Sequence, residues 1–190
     1  MTSHRPARLF VSVAVEPAAG PRLLDLLNLE ALAGVLPESE PGDLTKMHMT
    51  LAFLGDRQRR DLTAIHESVE RSVSGLDAFD LTAVSVMTLP RGQPGRLLAA
   101  VTDGPPALLE IQRRLATRLI RPIERGKRTT FLPHVTLTRW HEAQSCDELE
   151  IALEAGERVT WHVGAVRLMH SVHYAGHTEH RIVREFELNT

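Results

Sequence analysis

The chain is poor in the features that mark secreted, membrane-spanning and nucleic-acid-coating proteins. It has one cysteine in 190 residues, Cys146, so it forms no internal disulfide, as is usual in a reducing compartment. Its apolar runs fall well short of the ~20 residues of a membrane span, and the early run 9–15 ends at Glu16-Pro17 rather than in a cleavage site. The formal net charge is −2, which does not favour a broadly basic surface. We therefore expect a cytoplasmic protein with no leader and no membrane contact.

Histidine is abundant, and two of the ten histidines open the same tetrapeptide. His-x-Thr-Leu begins at His48 and again at His134. Residues i and i+2 of a strand share a face, so His48 lies beside Thr50 and His134 beside Thr136. Two such strands facing one another across a cleft bring two imidazoles and two hydroxyls together. A neutral imidazole can deprotonate water while an imidazolium protonates a leaving oxygen, and the hydroxyls can donate to phosphate oxygens. The pattern indicates metal-free acid-base chemistry on a phosphate.

The motifs lie inside two longer segments with the same order of elements. Residues 8–89 and 96–188 each read as a strand, a helix, a loop and a His-x-Thr strand. This order predicts an α+β fold in one domain, 1–190, with two similar lobes, two antiparallel-rich sheets, outer helices and a central cleft. The later elements expected from periodicity are helices over 61–73 and 147–155, and strands over 79–89, 161–174 and 182–188.

Four further histidines near the end of the chain, at positions 170, 173, 177 and 180, admit two interpretations. Their spacing would form one stripe on a helix, as in a metal site. The segment 166–174 reads better as a strand followed by a turn over 176–180, which gives a polar hairpin able to border the cleft. We expect no metal and no cofactor.

Phe53 follows the first motif and also admits two roles. It could provide a surface on which a base stacks. It lies an odd number of positions after His48, so strict alternation points it away from the cleft unless the strand bulges. Core packing is the expected role.

Three stretches of the chain resemble the two-histidine (2H) phosphoesterase superfamily, in particular the RNA 2′,3′-cyclic phosphodiesterases, also called 2′-5′ RNA ligase-like proteins. The stretches are Arg8–Val11, His48–Gly55 and Phe131–Arg139. The resemblance implies a bilobal fold whose catalytic residues are His48 and His134 and whose substrate-binding residues are Thr50, Thr136 and Arg139. The chain departs from the family pattern at Leu98, where a tryptophan is common, and at His180, where a tyrosine is expected.

The resemblance implies a monomeric enzyme that acts on RNA ends or nucleotides carrying a 2′,3′-cyclic phosphate. It would hydrolyse the ring to a 2′-phosphate with no metal. A 2′-5′ ligase-like protein, or a protein that binds RNA ends or nucleotides with little turnover, is the alternative. A third interpretation is an old duplication whose histidines persist as hydrogen-bonded core groups. The near symmetry of the halves leaves open which imidazole is the acid, with His48 as the starting assignment.

Overall fold

Strands form most of the regular structure in the computed structural model, which describes residues 7–120, 131–140, 144–175 and 177–190. The strands are β1 Ala7–Ala14, β2 His48–Arg57, β3 Phe79–Leu89, β4 Leu97–Thr102, β5 His134–Arg139, β6 Glu150–Ala152, β7 Val159–Val163, β8 Ala165–Tyr174 and β9 His177–Glu187. The α-helices are α1 Ala19–Asp25, α2 Leu62–Val73 and α3 Pro106–Leu115, which continues into a π-helical turn, Ala116–Ile120. Single 3-10 turns lie at Leu26–Asn28, Glu30–Leu32, Leu44–Lys46 and Arg59–Asp61.

The strands form two sheets. The first has the order β2-β1-β8-β9. The second has the order β5-β4-β3, with β6 and β7 both pairing with the far edge of β3. Every pairing between these strands is antiparallel. The predicted α+β class, with two antiparallel sheets and outer helices, is confirmed.

The sheets do not divide the chain at its midpoint. β3 precedes the second motif by a long stretch of chain but pairs with β4 in the sheet that carries that motif. In the other direction, β8 and β9 return to pair beside β1 in the first sheet. The chain therefore crosses between the sheets more than once. The single domain 1–190 and the repeat bounds 8–89 and 96–188 stay predictions.

One hydrophobic core joins the helices to both sheets. On β1, Leu9, Val11 and Val13 are buried on the face that packs into this core. Ile65, Val69 and Val73 do the same from α2, and their spacing of four residues places them on one helical stripe. The opposite face of β1 is also covered, since Phe10 and Ser12 are buried there. Because β1 is covered on both faces, it is a rigid support for the edge strand beside it.

Three elements predicted from the sequence are corrected. The helix expected over 147–155 is wrong, because residues 150–152 form β6 against the free edge of β3. The single strand expected over 161–174 is broken at Gly164, so that β7 and β8 belong to different sheets. The turn expected over 176–180 is wrong for its last four residues, which form the start of β9 and pair with β8. In each case pairing with a neighbouring strand outweighs local sequence preference.

None of the helices in the described ranges combines the length and the hydropathy needed to cross a bilayer.

Candidate active site

The two motifs lie on the edge strands of the two sheets, β2 and β5, and these strands contact one another. The loop before β2 stabilises the contact between β2 and β5 through two hydrogen bonds. The amide of Gly42 donates to the Leu137 carbonyl at 2.7 Å, and the Thr138 hydroxyl donates to the Glu40 carbonyl at 2.7 Å. A Cβ atom on Gly42 would lie 2.8 Å from the Leu137 oxygen, so only glycine allows this approach. The loop therefore holds the first motif strand against the second.

Both motif histidines make the same hydrogen bond. His48 Nδ1 lies 2.7 Å from the Lys46 carbonyl oxygen, and His134 Nδ1 lies 2.8 Å from the Leu132 carbonyl oxygen. A carbonyl can only accept, so each Nδ1 carries a hydrogen and donates it. This bond fixes the tautomer and leaves Nε2 of each ring to gain or lose a proton. Both rings are thus fixed in the same tautomer, each by the backbone carbonyl of the residue two positions before it.

The turn before His48 is itself held by a carboxylate. Asp43 accepts from the Thr45 amide at 2.9 Å and from the Thr45 hydroxyl at 2.6 Å, and its carboxylate lies 3.0 Å from Lys46 Nζ. These bonds lower the pKa of Asp43 to about 2, so it stays ionised over the working range of pH. The result is a fixed position for the Lys46 carbonyl, the group that orients His48.

Each motif strand has a β-bulge directly after its threonine. Val11 of β1 pairs with Ala52 and Ser12 with Thr50, so Leu51 is the extra residue on β2. On β5 the extra residue is Leu137, in the same place within the motif. A bulge inserts one residue and reverses the alternation beyond it. The position five residues after each histidine therefore returns to the face that carries the histidine and the threonine.

Arg139 occupies that returned position on β5. Its Nη2 lies 3.4 Å from the Thr136 hydroxyl oxygen, which places the guanidinium on the motif face. Burial lowers the pKa of Arg139, although an arginine stays charged at any ordinary pH. A partly desolvated guanidinium beside a hydroxyl suits a bidentate contact with a phosphate.

The pKa of His48 is changed by burial and by nearby charges. Burial lowers the pKa of His48 below its ordinary value, and the charges of Arg139 and His134 lower it further, against the opposing effect of the Lys46 carbonyl. His48, His134 and Arg139 therefore belong to one electrostatic site that spans β2 and β5. The structure thus brings together the five residues expected at the site, since Thr50 and Thr136 lie one alternation from the two histidines.

Phe53 occupies the returned position on β2, and its predicted place in the core is wrong. Phe53 is 71% exposed, while its neighbours Ala52 and Leu54 are buried. The bulge at Leu51 is the cause. Phe53 lies on the same side as His48 and its ring centroid is 6.2 Å from that of buried Phe10.

Two residues that contact His48, Phe10 and His180, were not predicted from the sequence to contact it. Phe10 packs against His48 with ring centroids 5.1 Å apart, and His180 of β9 approaches both rings, at 5.1 Å from Phe10 and 5.3 Å from His48. The sequence placed His180 in a hairpin able to border the cleft, but nothing in its spacing pointed to contact with His48. Phe10 lay within the stretch Arg8–Val11 that carried the family resemblance, but nothing in the sequence assigned it a role at the site.

Within the described ranges, no group of three or more His, Cys, Asp and Glu side chains is arranged to hold a metal ion. The four C-terminal histidines are distributed over β8 and β9 and take different partners. His173 Nδ1 lies 2.9 Å from the Thr178 hydroxyl, and His177 stacks on Tyr174 with centroids 5.0 Å apart.

Comparison with known proteins gives one family and one fold. A family model described as the 2′-5′ RNA ligase superfamily matches residues 37–174, which include both motifs. No curated protein matches in a sequence search. Among solved structures, TT0787 of Thermus thermophilus superposes with a TM-score of 0.76 at 19% identity, over 95% of this chain and 97% of its own. Escherichia coli LigT bound to 3′-AMP gives 0.74 at 20% identity, over 97% and 99%, and LigT bound to phosphate gives 0.74 at 20%, over 98% and 99%.

Proposed function

Because this chain belongs to the 2′-5′ RNA ligase superfamily of 2H phosphoesterases, we propose that it hydrolyses 2′,3′-cyclic phosphates at RNA ends or on nucleotides without a metal. The observation that carries the proposal is the identical preparation of two imidazoles, each with Nδ1 bonded to a carbonyl and Nε2 left for proton transfer. Acid-base hydrolysis of a phosphodiester needs two such groups, one on each side of the phosphorus.

In the proposed reaction, Nε2 of one histidine removes a proton from water as the water oxygen bonds to phosphorus. The bond from phosphorus to the 3′ oxygen breaks, and Nε2 of the other histidine donates its proton to that oxygen. The product is a 2′-phosphate with a free 3′ hydroxyl, and each histidine ends in the protonation state in which the other began. Arg139 and the two motif threonines would hold the phosphoryl oxygens, which gain negative charge in the transition state.

The roles of the two histidines depend on the bound state. In the free protein, burial and the charges of Arg139 and His134 lower the pKa of His48 and favour its neutral form, which suits a base. A phosphate anion bound beside Arg139 opposes those charges and favours protonated His48, the acid of the starting assignment. A substrate with an activated leaving group shows which histidine is the acid and which is the base. It restores activity to a variant that lacks the acid and not to a variant that lacks the base.

The proposed function is tested by incubating the protein with 2′,3′-cyclic nucleotides in the presence of excess EDTA. We expect hydrolysis at an unchanged rate after chelation, because the chain's own imidazoles move the protons. Loss of the activity with EDTA and its recovery with added metal would overturn the metal-free mechanism. Tight binding of a cyclic-phosphate RNA end with no hydrolysis in a single-turnover assay would favour the alternative, a binding protein.

The threonines give a prediction that separates phosphate binding from proton transfer. Thr50→Val and Thr136→Val keep the shape of the side chain and remove its hydroxyl donor. A hydrogen bond to a charged group contributes about 1.5–3 kcal/mol, so each change should lower kcat/KM about 10-fold to 100-fold. The pH midpoints of the two limbs of the kcat/KM profile should not move, because no titrating group is lost. Thr160→Val, at a hydroxyl pair on β7, is the control and should leave kcat/KM unchanged. A moved limb in either motif variant would assign the threonine a part in proton transfer.

Phe53 gives a second prediction, on nucleotide recognition. Its exposed ring beside Phe10 offers a flat apolar surface next to His48, and stacking of a base on an aromatic ring contributes about 1–3 kcal/mol. Phe53→Ala should raise KM for a 2′,3′-cyclic nucleotide about tenfold and leave kcat nearly unchanged, whereas Phe53→Trp should preserve KM. An unchanged KM in the alanine variant would show that the base does not contact this ring.

A further inference from the structure

A third imidazole lies against His48. The ring of His180 meets that of His48 at 83° with centroids 5.3 Å apart, and it meets Phe10 at 78° with centroids 5.1 Å apart. Phe10 in turn lies beside His48 at a shallow angle of 34°. The three rings form one cluster in which Phe10, 3% exposed, is the fixed member.

His48 needs these lateral contacts because its hydrogen bond fixes only one point of the ring. The Lys46 carbonyl holds Nδ1, and the ring can still tilt about that bond. Phe10 packs beside the His48 ring at a shallow angle, and His180 packs against it nearly at a right angle. These two contacts limit the tilt of the His48 ring from two directions. The ring contacts hold His180 itself, since its Nδ1 is buried with no hydrogen-bond partner among the described residues.

We propose that His180 is a positioning residue for His48, which packs beside it, limits its tilt and shields it from water. The inference rests on the proposed function, because the direction of Nε2 matters only if His48 moves a proton. It assigns a role to a position at which this chain departs from the tyrosine expected by resemblance.

Side chains that are or can become cationic approach the two rings from three parts of the fold. Lys46 approaches from the turn before β2, His134 and Arg139 from β5, and His173 from β8. Burial and the charges of Arg139 and His134 lower the pKa of His48. Burial and the charges of His48, Lys46 and His173 lower the pKa of His180. Because burial is the largest cause for His48, removal of the His180 ring, which admits water, should raise the pKa of His48. Phenylalanine at position 180 keeps the apolar cover and should leave that pKa low.

The experiment is a pH titration of the ring nitrogens of His48 by NMR in the wild-type protein, H180A and H180F. The His48 signals are assigned by their loss in H48N. We expect the midpoint for His48 to move to higher pH in H180A and to stay in place in H180F. His177→Ala, on the same hairpin but stacked on Tyr174, is the matched control and should move nothing. If H180A does not fold, H180V, which suits a strand, takes its place. An unmoved midpoint in H180A, or equal shifts in H180A and H180F, would overturn the proposal.

Kinetics supply the second readout. On a 2′,3′-cyclic nucleotide, H180A should lower kcat about tenfold with little change in KM, since misplacement of a reacting group affects the chemical step. H180F should recover most of the loss. A loss carried mainly by KM, or no rescue by phenylalanine, would overturn the positioning role. If no variant and no wild-type protein hydrolyses the substrate, the proposed function fails, while the titration still decides whether His180 shields His48.

Discussion

His48→Ala and His134→Ala should each lower kcat/KM for a 2′,3′-cyclic nucleotide by at least about 10²-fold, the scale of general acid-base catalysis. Each removes one of two proton carriers, and neither loss is covered by another group in the reaction proposed. The wild-type profile of kcat/KM against pH should be bell-shaped, with limbs that belong to the pair of imidazoles. Each alanine variant should lose one limb. The kcat/KM of the double variant should be only slightly below that of the less active single variant, because the two residues act as a unit.

Asparagine at the same positions separates the chemistry from the structure. Its side-chain amide can still donate to the Lys46 or Leu132 carbonyl, as Nδ1 does, but it has no atom at the place of Nε2. H48N and H134N should therefore fold with a wild-type Tm and be as inactive as the alanine variants. His177→Ala is the control, with activity close to that of the wild type. Wild-type activity in either asparagine variant would mean that Nε2 of that ring transfers no proton and that the histidine is a hydrogen-bonded core group.

Arg139→Ala should lower kcat by about 10²–10³-fold, the usual cost of removing one donor that stabilises charge in a transition state. The guanidinium lies next to the Thr136 hydroxyl on the motif face and is partly desolvated, where its charge acts strongly. Arg139→Lys keeps the charge and loses the planar fork, so it should recover only part of the rate. Loss of the Arg139 charge in the alanine variant should also raise the pKa of His48, because that charge is one of the causes that lower it.

The control for Arg139 is an arginine with a partner of its own away from the motifs. Arg91 pairs with Glu150 at 2.8 Å on the surface, and Arg91→Ala should leave kcat unchanged. A Tm close to that of the wild type in Arg139→Ala would exclude unfolding as the cause of its loss. Full activity in Arg139→Ala, or full rescue by lysine, would contradict bidentate contact with the phosphoryl group.

The sequence identified the two motif histidines and their threonines because i and i+2 on a strand need no other information. It could not show the bulges at Leu51 and Leu137, since a bulge depends on the register with the neighbouring strand. Strict alternation fails in the same way for Phe53 and for Arg139, five positions after each histidine. Alternation placed Phe53 in the core, while Arg139 was expected at the site only through the family resemblance. Both side chains lie on the motif face for one physical reason.

Long-range pairing accounts for most of what the sequence did not show. Periodicity found β3 but not the sheet it would join, and the segment 150–152 became a strand because β3 had an open edge beside it. His180 reaches His48 only because β9 returns to pair with β8 in the first sheet. Contacts of this kind depend on which strands meet, and local residue preferences do not encode that choice.

The central claim is most directly tested by following a 2′,3′-cyclic nucleotide by ³¹P NMR with the metal-free protein in EDTA. The cyclic phosphate signal should be replaced by that of a 2′-phosphate, with no 3′-phosphate, at a rate at least about 10²-fold above that of H48N or H134N. A 3′-phosphate product would contradict the direction of ring opening. Equal rates in the wild-type protein and both asparagine variants would contradict two-histidine catalysis itself.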